Sequence, residues 1–111
     1  MPGATNLDGH EGLRTLIRQH YERGGLLAAI CAAPLVYGNM GLLKGLKATC
    51  YPGFEDFLVG AEPTGELVVR DGQFFFGKGP GAALPLSYEI VGALCGEATA
   101  DAIKTGMIFK V

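Results

Sequence analysis

A chain of 111 residues with 49% apolar and 18% charged side chains can bury one core and is too hydrophobic for disorder. Its net charge of −2, with lysines and arginines scattered rather than clustered, excludes the basic footprint of a nucleic-acid binder. No apolar stretch approaches the roughly 18 residues of a membrane span, and the opening residues lack the pattern of a secretory signal. Three cysteines without a CxxC pair speak against both a disulfide framework and a zinc site. The expectation is one cytoplasmic, reduced domain over residues 1–111, with no metal and no cofactor. Eighteen glycines in so apolar a chain suit an interior sheet with tight turns better than a helix bundle.

Residues 1–7, MPGATNL, read as a loop. Asp8 is placed to cap a helix, and Glu11 completes a capping-box-like pair. Leu13, Leu16, Ile17 and Tyr21 then recur at helical spacing, with Arg14, Arg18 and Gln19 opposite, until Gly24-Gly25 stops the run. Residues 26–31, LLAAIC, form a short unbroken apolar run, the pattern of a strand buried on both faces. A second helix starts at Ala32, with Pro34 in its first turn. Leu35, Met40, Leu42 and Leu43 supply its apolar side, and Gly45 ends it. KATCY at 47–51 predicts a strand stopped by Pro52-Gly53, and 54–58 predicts one or two helical turns. Asp71-Gly72, between ELVVR and QFFF, predicts a hairpin over 66–76. GKGPG at 77–81 is a loop. A helix over 84–94 places Leu86, Ile90, Val91 and Leu94 on one face, and a last one covers 98–105.

Helix, strand, helix, strand is the grammar of an α/β sandwich. One feature is out of place in it. LLAAIC needs sheet neighbours on both sides, yet nothing before it reads as a strand, so the expectation is a fold without its first strands.

Cys31 is the residue that carries chemistry. It ends the buried strand and opens the next helix, with Ala29 two positions before it and Ala33 two after. A sharp strand-to-helix turn crowds those two positions, which is why small residues occupy them in nucleophile elbows. A thiolate there faces the positive end of the helix dipole and free backbone N–H groups. The N–H of Ala32 is the natural oxyanion donor. The plainer alternative is a small buried cysteine closing a strand, and spacing alone does not choose between the two.

The string AAICAAP resembles the AAICAGP elbow of the ThiJ/PfpI family. LKGLKATCYPG resembles the strand that follows the elbow helix in that family, and KGPGAALPLSYEIVGAL resembles its RGPG loop and helix. MPGATNL resembles the segment after a strand ending LPGG. The resemblance covers nearly the whole chain and implies a flavodoxin-like sandwich, a mostly parallel sheet between helices, lacking its N-terminal strands. It implies Cys31 as nucleophile, Tyr51 where the family has a histidine, and Lys78 at the family's arginine. Pro80 stands at a pocket-lining proline, and Met1 follows directly on the glycine pair. The family's glutamate and both glycines fall before Met1, so about two βαβ units, roughly 60 residues, are expected to be absent through truncation or an internal start. Tyr51 does not replace a general base, because a phenol stays protonated near neutral pH.

The other polar residues read more plainly. His10 suits a solvated surface position, and His20 a favourable cation at a helix C-terminus. Cys50 and Cys95 suit the core, and Phe74, Phe75 and Phe76 alternate between core and interface. Glu55, Asp56, Glu62 and Glu66 read as solvated charges, while GKGPG lacks phosphate-loop spacing. The resemblance implies a homodimeric, cofactor-independent enzyme acting on a small carbonyl substrate such as methylglyoxal or its adducts. The same thiolate also suits a redox sensor or chaperone, and the bland alternative is an inactive remnant.

Overall fold

The computed structural model describes residues 2–109. Its helices are α1 (Pro2–Asp8), α2 (Glu11–Glu22), α3 (Pro34–Asn39), α4 (Ala83–Cys95) and α5 (Glu97–Gly106). The strands are β1 (Leu27–Ile30), β2 (Lys47–Ala48), β3 (Glu62–Pro63), β4 (Val68–Asp71) and β5 (Phe74–Gly77). Single 3-10 turns occupy Glu55–Phe57 and Pro80–Ala82. One sheet runs β1-β5-β4, with β1 parallel and β4 antiparallel to β5; β2 and β3 form a separate parallel pair.

The hairpin forms as its turn signal requires. Gly72 takes φ 58, a conformation that costs a residue without Cβ little, and Asp71 pairs with Phe74. Because β5 is central, Phe74, Phe75 and Phe76 are all buried rather than alternating. Phe74 and Phe76 lie parallel with centroids 5.8 Å apart, and Tyr37 meets Phe74 edge-on at 5.3 Å. Leu35, Val36, Leu43 and Leu58 close the core on that side.

Several expectations need correction. Residues 2–8 are helical, not loop: Pro2 sits in the first turn and Ala4 is buried where α1 packs on α3. Asp8 therefore ends a helix and does not cap the next one. Its carboxylate accepts from Arg14 at 2.7 Å and from Asn39 at 3.0 Å. The cap of α2 is His10, whose Nδ1 accepts from the Leu13 amide at 3.0 Å. The second helix starts at Pro34 rather than Ala32 and ends at Asn39, with Gly41 at φ 75. Gly38 lets that helix lie against the backbone of Phe57. The strand expected over 47–51 keeps ladder pairing only at Lys47–Ala48, with β3 an additional partner. Cys95 is exposed, not core, and Leu16 and Leu94 are more than 60% exposed.

Candidate active site

At Cys31 the chain leaves β1 and turns. Its φ is 59, the left-handed region that L-residues with a Cβ avoid at a cost of about 1–2 kcal/mol. Three backbone hydrogen bonds hold it there. The Cys31 amide donates to the Gly77 carbonyl at 3.0 Å, and the Cys31 carbonyl accepts from the Tyr51 amide at 2.8 Å. The first bond ties the elbow to the end of β5; the second ties it to the segment after β2. The Ala33 amide donates to Ile30 at 3.1 Å and closes the turn. The Ala32 amide, between them, has no hydrogen-bond partner among the described residues, although Ala32 is buried. A buried, unspent N–H beside a half-exposed thiol is a donor available to an oxygen that reaches the sulfur.

Residues 31–33 form a turn, and α3 is only six residues long, starting three positions beyond the sulfur's residue. The dipole effect falls off within a turn, so α3 acts on Cys31 less than a helix beginning at Ala32 would.

Tyr51 and the loop at Gly79-Pro80 meet beside this turn. A Cβ on Gly79 would lie 3.7 Å from the Tyr51 ring, so the ring rests on bare backbone there. Pro80 opens the 3-10 turn in which the Ala82 amide donates to Gly79 at 2.8 Å. Lys78 goes elsewhere: its Nζ donates to the Gly65 carbonyl at 3.1 Å, which ties it to the loop before β4. Met1 lies outside the described residues.

The remaining thiols differ sharply. Burial pushes the Cys50 thiol up to about 11, and the negative charge of Glu55 adds to the rise. Glu55 also accepts from the Gly53 amide at 2.8 Å. Thr49, next to Cys50, is buried with its hydroxyl oxygen unpartnered among the described residues. Its typical strand position gave no sign of that. No group of three or more His, Cys, Asp or Glu able to hold a metal occurs among the described residues, and none of their helices is long and apolar enough to cross a membrane.

A functional role for Gly77 and Gly79 was not legible in sequence, since each acts through its backbone. With this geometry in view, comparison with known proteins is decisive: the DJ-1/PfpI family matches residues 1–93. The chain belongs to the DJ-1/PfpI family. It is 34% identical to Protein DJ-1 homolog B of Arabidopsis thaliana over 99% of its own length and 26% of the relative's. It is 33% identical to Protein dj-1beta of Drosophila melanogaster over 96% of itself and 58% of that protein. Two solved DJ-1 structures, from Drosophila melanogaster and Toxoplasma gondii, superpose with TM-scores of 0.90 and 0.92 at 28% identity. Each match covers all of this chain and 61% of the solved one. The flavodoxin-like fold is thus established, and the chain is a partial copy of it. It spans between a quarter and three fifths of these relatives' lengths.

Proposed function

We propose that Cys31 is the nucleophile of a DJ-1/PfpI-type protein that acts on small reactive carbonyls. The single observation supporting this most strongly is the strained elbow itself: a cysteine at φ 59 beside the unspent amide of Ala32. Strain of this kind persists only where the surroundings hold it, and it concentrates at reacting residues. In the proposed step the thiolate sulfur bonds to the carbonyl carbon. The π electrons move to oxygen, and the Ala32 N–H stabilises the resulting oxyanion until it takes a proton. Tyr51 and Pro80 border the substrate, and the whole protein is a homodimer without a cofactor. The carboxylate that moves protons in the family's pattern is not among these 111 residues. The isolated chain should therefore form the adduct but turn it over slowly, since general acid–base catalysis contributes about 10²–10⁴-fold.

Relatives leave the chemistry open at this level. One relative, 39% identical over 68% of this chain, is an isonitrile hydratase of Pseudomonas putida, and the Toxoplasma gondii structure is described as oxidized. The second description supports an alternative reading in which Cys31 is a redox sensor that reacts with peroxide. One experiment separates the two readings. The chain is incubated with methylglyoxal or with limiting hydrogen peroxide, and adducts are mapped by mass spectrometry for wild type and Cys31→Ala. A methylglyoxal adduct confined to Cys31 supports the carbonyl reading. Oxidation at Cys31 with no carbonyl adduct favours the sensor, and modification elsewhere defeats both.

A further inference from the structure

Cys31 and Cys50 are neighbours in space, although the whole of α3 lies between them in sequence. The hydrogen bond from the Tyr51 amide to the Cys31 carbonyl, at 2.8 Å, brings them together. Peptide bonds among the described residues are trans, so the Cα of Cys50 sits on the N–H side of the Tyr51 peptide, beside that bond. Standard backbone lengths then put the Cα atoms of Cys31 and Cys50 about 5–6 Å apart. Disulfides usually span about 4.4–6.8 Å between Cα atoms, so the pair is within reach of one. Both thiols are free in this structure.

The two sulfurs differ in a way that sets an order of events. Cys31 is half exposed at the strained turn, beside the unspent Ala32 amide, and meets a dissolved reagent first. Cys50 is 3% exposed, and burial together with Glu55 keeps its thiol protonated at neutral pH. Such a thiol escapes a dissolved oxidant, yet it can still react with a sulfur held next to it. Cys95 is exposed at the end of α4, and no backbone bond ties it to the elbow among the described residues.

We propose that Cys50 is the resolving thiol of Cys31, closing a reversible disulfide across the elbow once a hydroperoxide has oxidised the Cys31 sulfur. The inference rests on Cys31 being the reactive sulfur of this chain. In the first step the Cys31 thiolate attacks the peroxide. The O–O bond breaks, an S–O bond forms, hydroxide leaves, and Cys31 stands as a sulfenic acid. In the second step the Cys50 sulfur attacks the Cys31 sulfur. The S–S bond forms, and the sulfenic hydroxyl leaves as water with the Cys50 thiol proton. The two cysteines are thereby oxidised and the one peroxide is reduced. Free thiol in excess reverses the link by exchange. While closed, it withholds the sulfur from carbonyls and spares it the irreversible sulfinic step.

The test treats the 111-residue chain with equimolar hydrogen peroxide, quenches with iodoacetamide and maps the peptides without reduction. Trypsin cuts after Lys44 and Lys47, between the two cysteines, so an internal link joins two otherwise separate peptides. The expected product is a Cys31–Cys50 link within one chain, seen as the loss of two hydrogens and unchanged in Cys95→Ser. Alkylation at Cys31 should be lost with it and return after dithiothreitol. In Cys50→Ala the same dose should leave Cys31 as sulfenic and sulfinic acid, and dithiothreitol should recover only the sulfenic part. Circular dichroism checks that Cys50→Ala folds, and if it does not, the wild-type map decides. Oxidation of Cys31 to sulfenic or sulfinic acid, with Cys50 still alkylated on unfolding, would overturn the resolving role and leave the nucleophile assignment standing. A link made to Cys95 instead would do the same. No oxidation at Cys31 would overturn both.

Discussion

Gly38→Ala should destabilise the protein, against the usual effect of removing a glycine from a helix. In an open helix interior the substitution gains about 1 kcal/mol from backbone entropy and propensity. At Gly38 the new Cβ would stand 2.0 Å from the Phe57 carbonyl oxygen, 3.0 Å from its carbon and 3.1 Å from the Leu58 Cα. All three are backbone atoms, so no side chain can swing away. The 3-10 turn Glu55–Phe57 would have to retreat by at least about 1 Å, a distortion of the kind that costs about 1–3 kcal/mol in a packed core. The strain should exceed the gain, leaving a net loss of about 1–2 kcal/mol. Gly3→Ala is the control, because it lies in α1 with nothing within 4 Å of its Cβ and should stabilise slightly. Urea unfolding of both variants reads the signs. If Gly38→Ala melted at or above wild type, α3 and the 54–58 segment would not meet as described. The turn also follows Tyr51, so alkylation of Cys31 should slow in Gly38→Ala and not in Gly3→Ala.

With limiting iodoacetamide at neutral pH, Cys31 should be modified ahead of the more exposed Cys95, and Cys50 only after unfolding; peptide mapping would show the order. Reaction first at Cys95 would mean that the elbow does not activate its sulfur. Stability should fall in alkali. Burial raises the Cys50 thiol from 9.0 to about 11 and the Tyr37 phenol from 10.0 to about 12, the latter despite its bond to Ala28. The unfolded chain thus loses both protons first, and stability present below pH 9 is lost between about pH 9 and 12. Tyr37→Phe should remove the upper part of that slope in urea titrations. Phe76→Ala, at a fully buried position on β5, should cost about 3–5 kcal/mol in the same assay. Methylglyoxal turnover by the 111-residue chain should lie about 10²–10⁴-fold below that of intact relatives, and parity would show that a carboxylate within this chain serves the reaction.

What could be read from sequence was what local chemistry sets. The Asp71-Gly72 turn, the apolar run ending at Cys31 and the small residues around it are constraints of a few neighbouring residues. They placed the hairpin, the turn at Cys31 and the family resemblance before any contact was known. Contacts between distant segments decided the rest. The loop-like 2–8 segment is a helix because Ala4 finds α3, and Asp8 gives up capping because Arg14 and Asn39 reach its carboxylate. Lys78 turns to Gly65, and Cys95, the last residue of α4, faces solvent. Tyr37 could not be paired with Ala28 from its spacing, since its partner is a carbonyl nine residues earlier. A backbone carbonyl or amide has no letter in a sequence, and in this protein such groups hold the elbow and close the turn beside it.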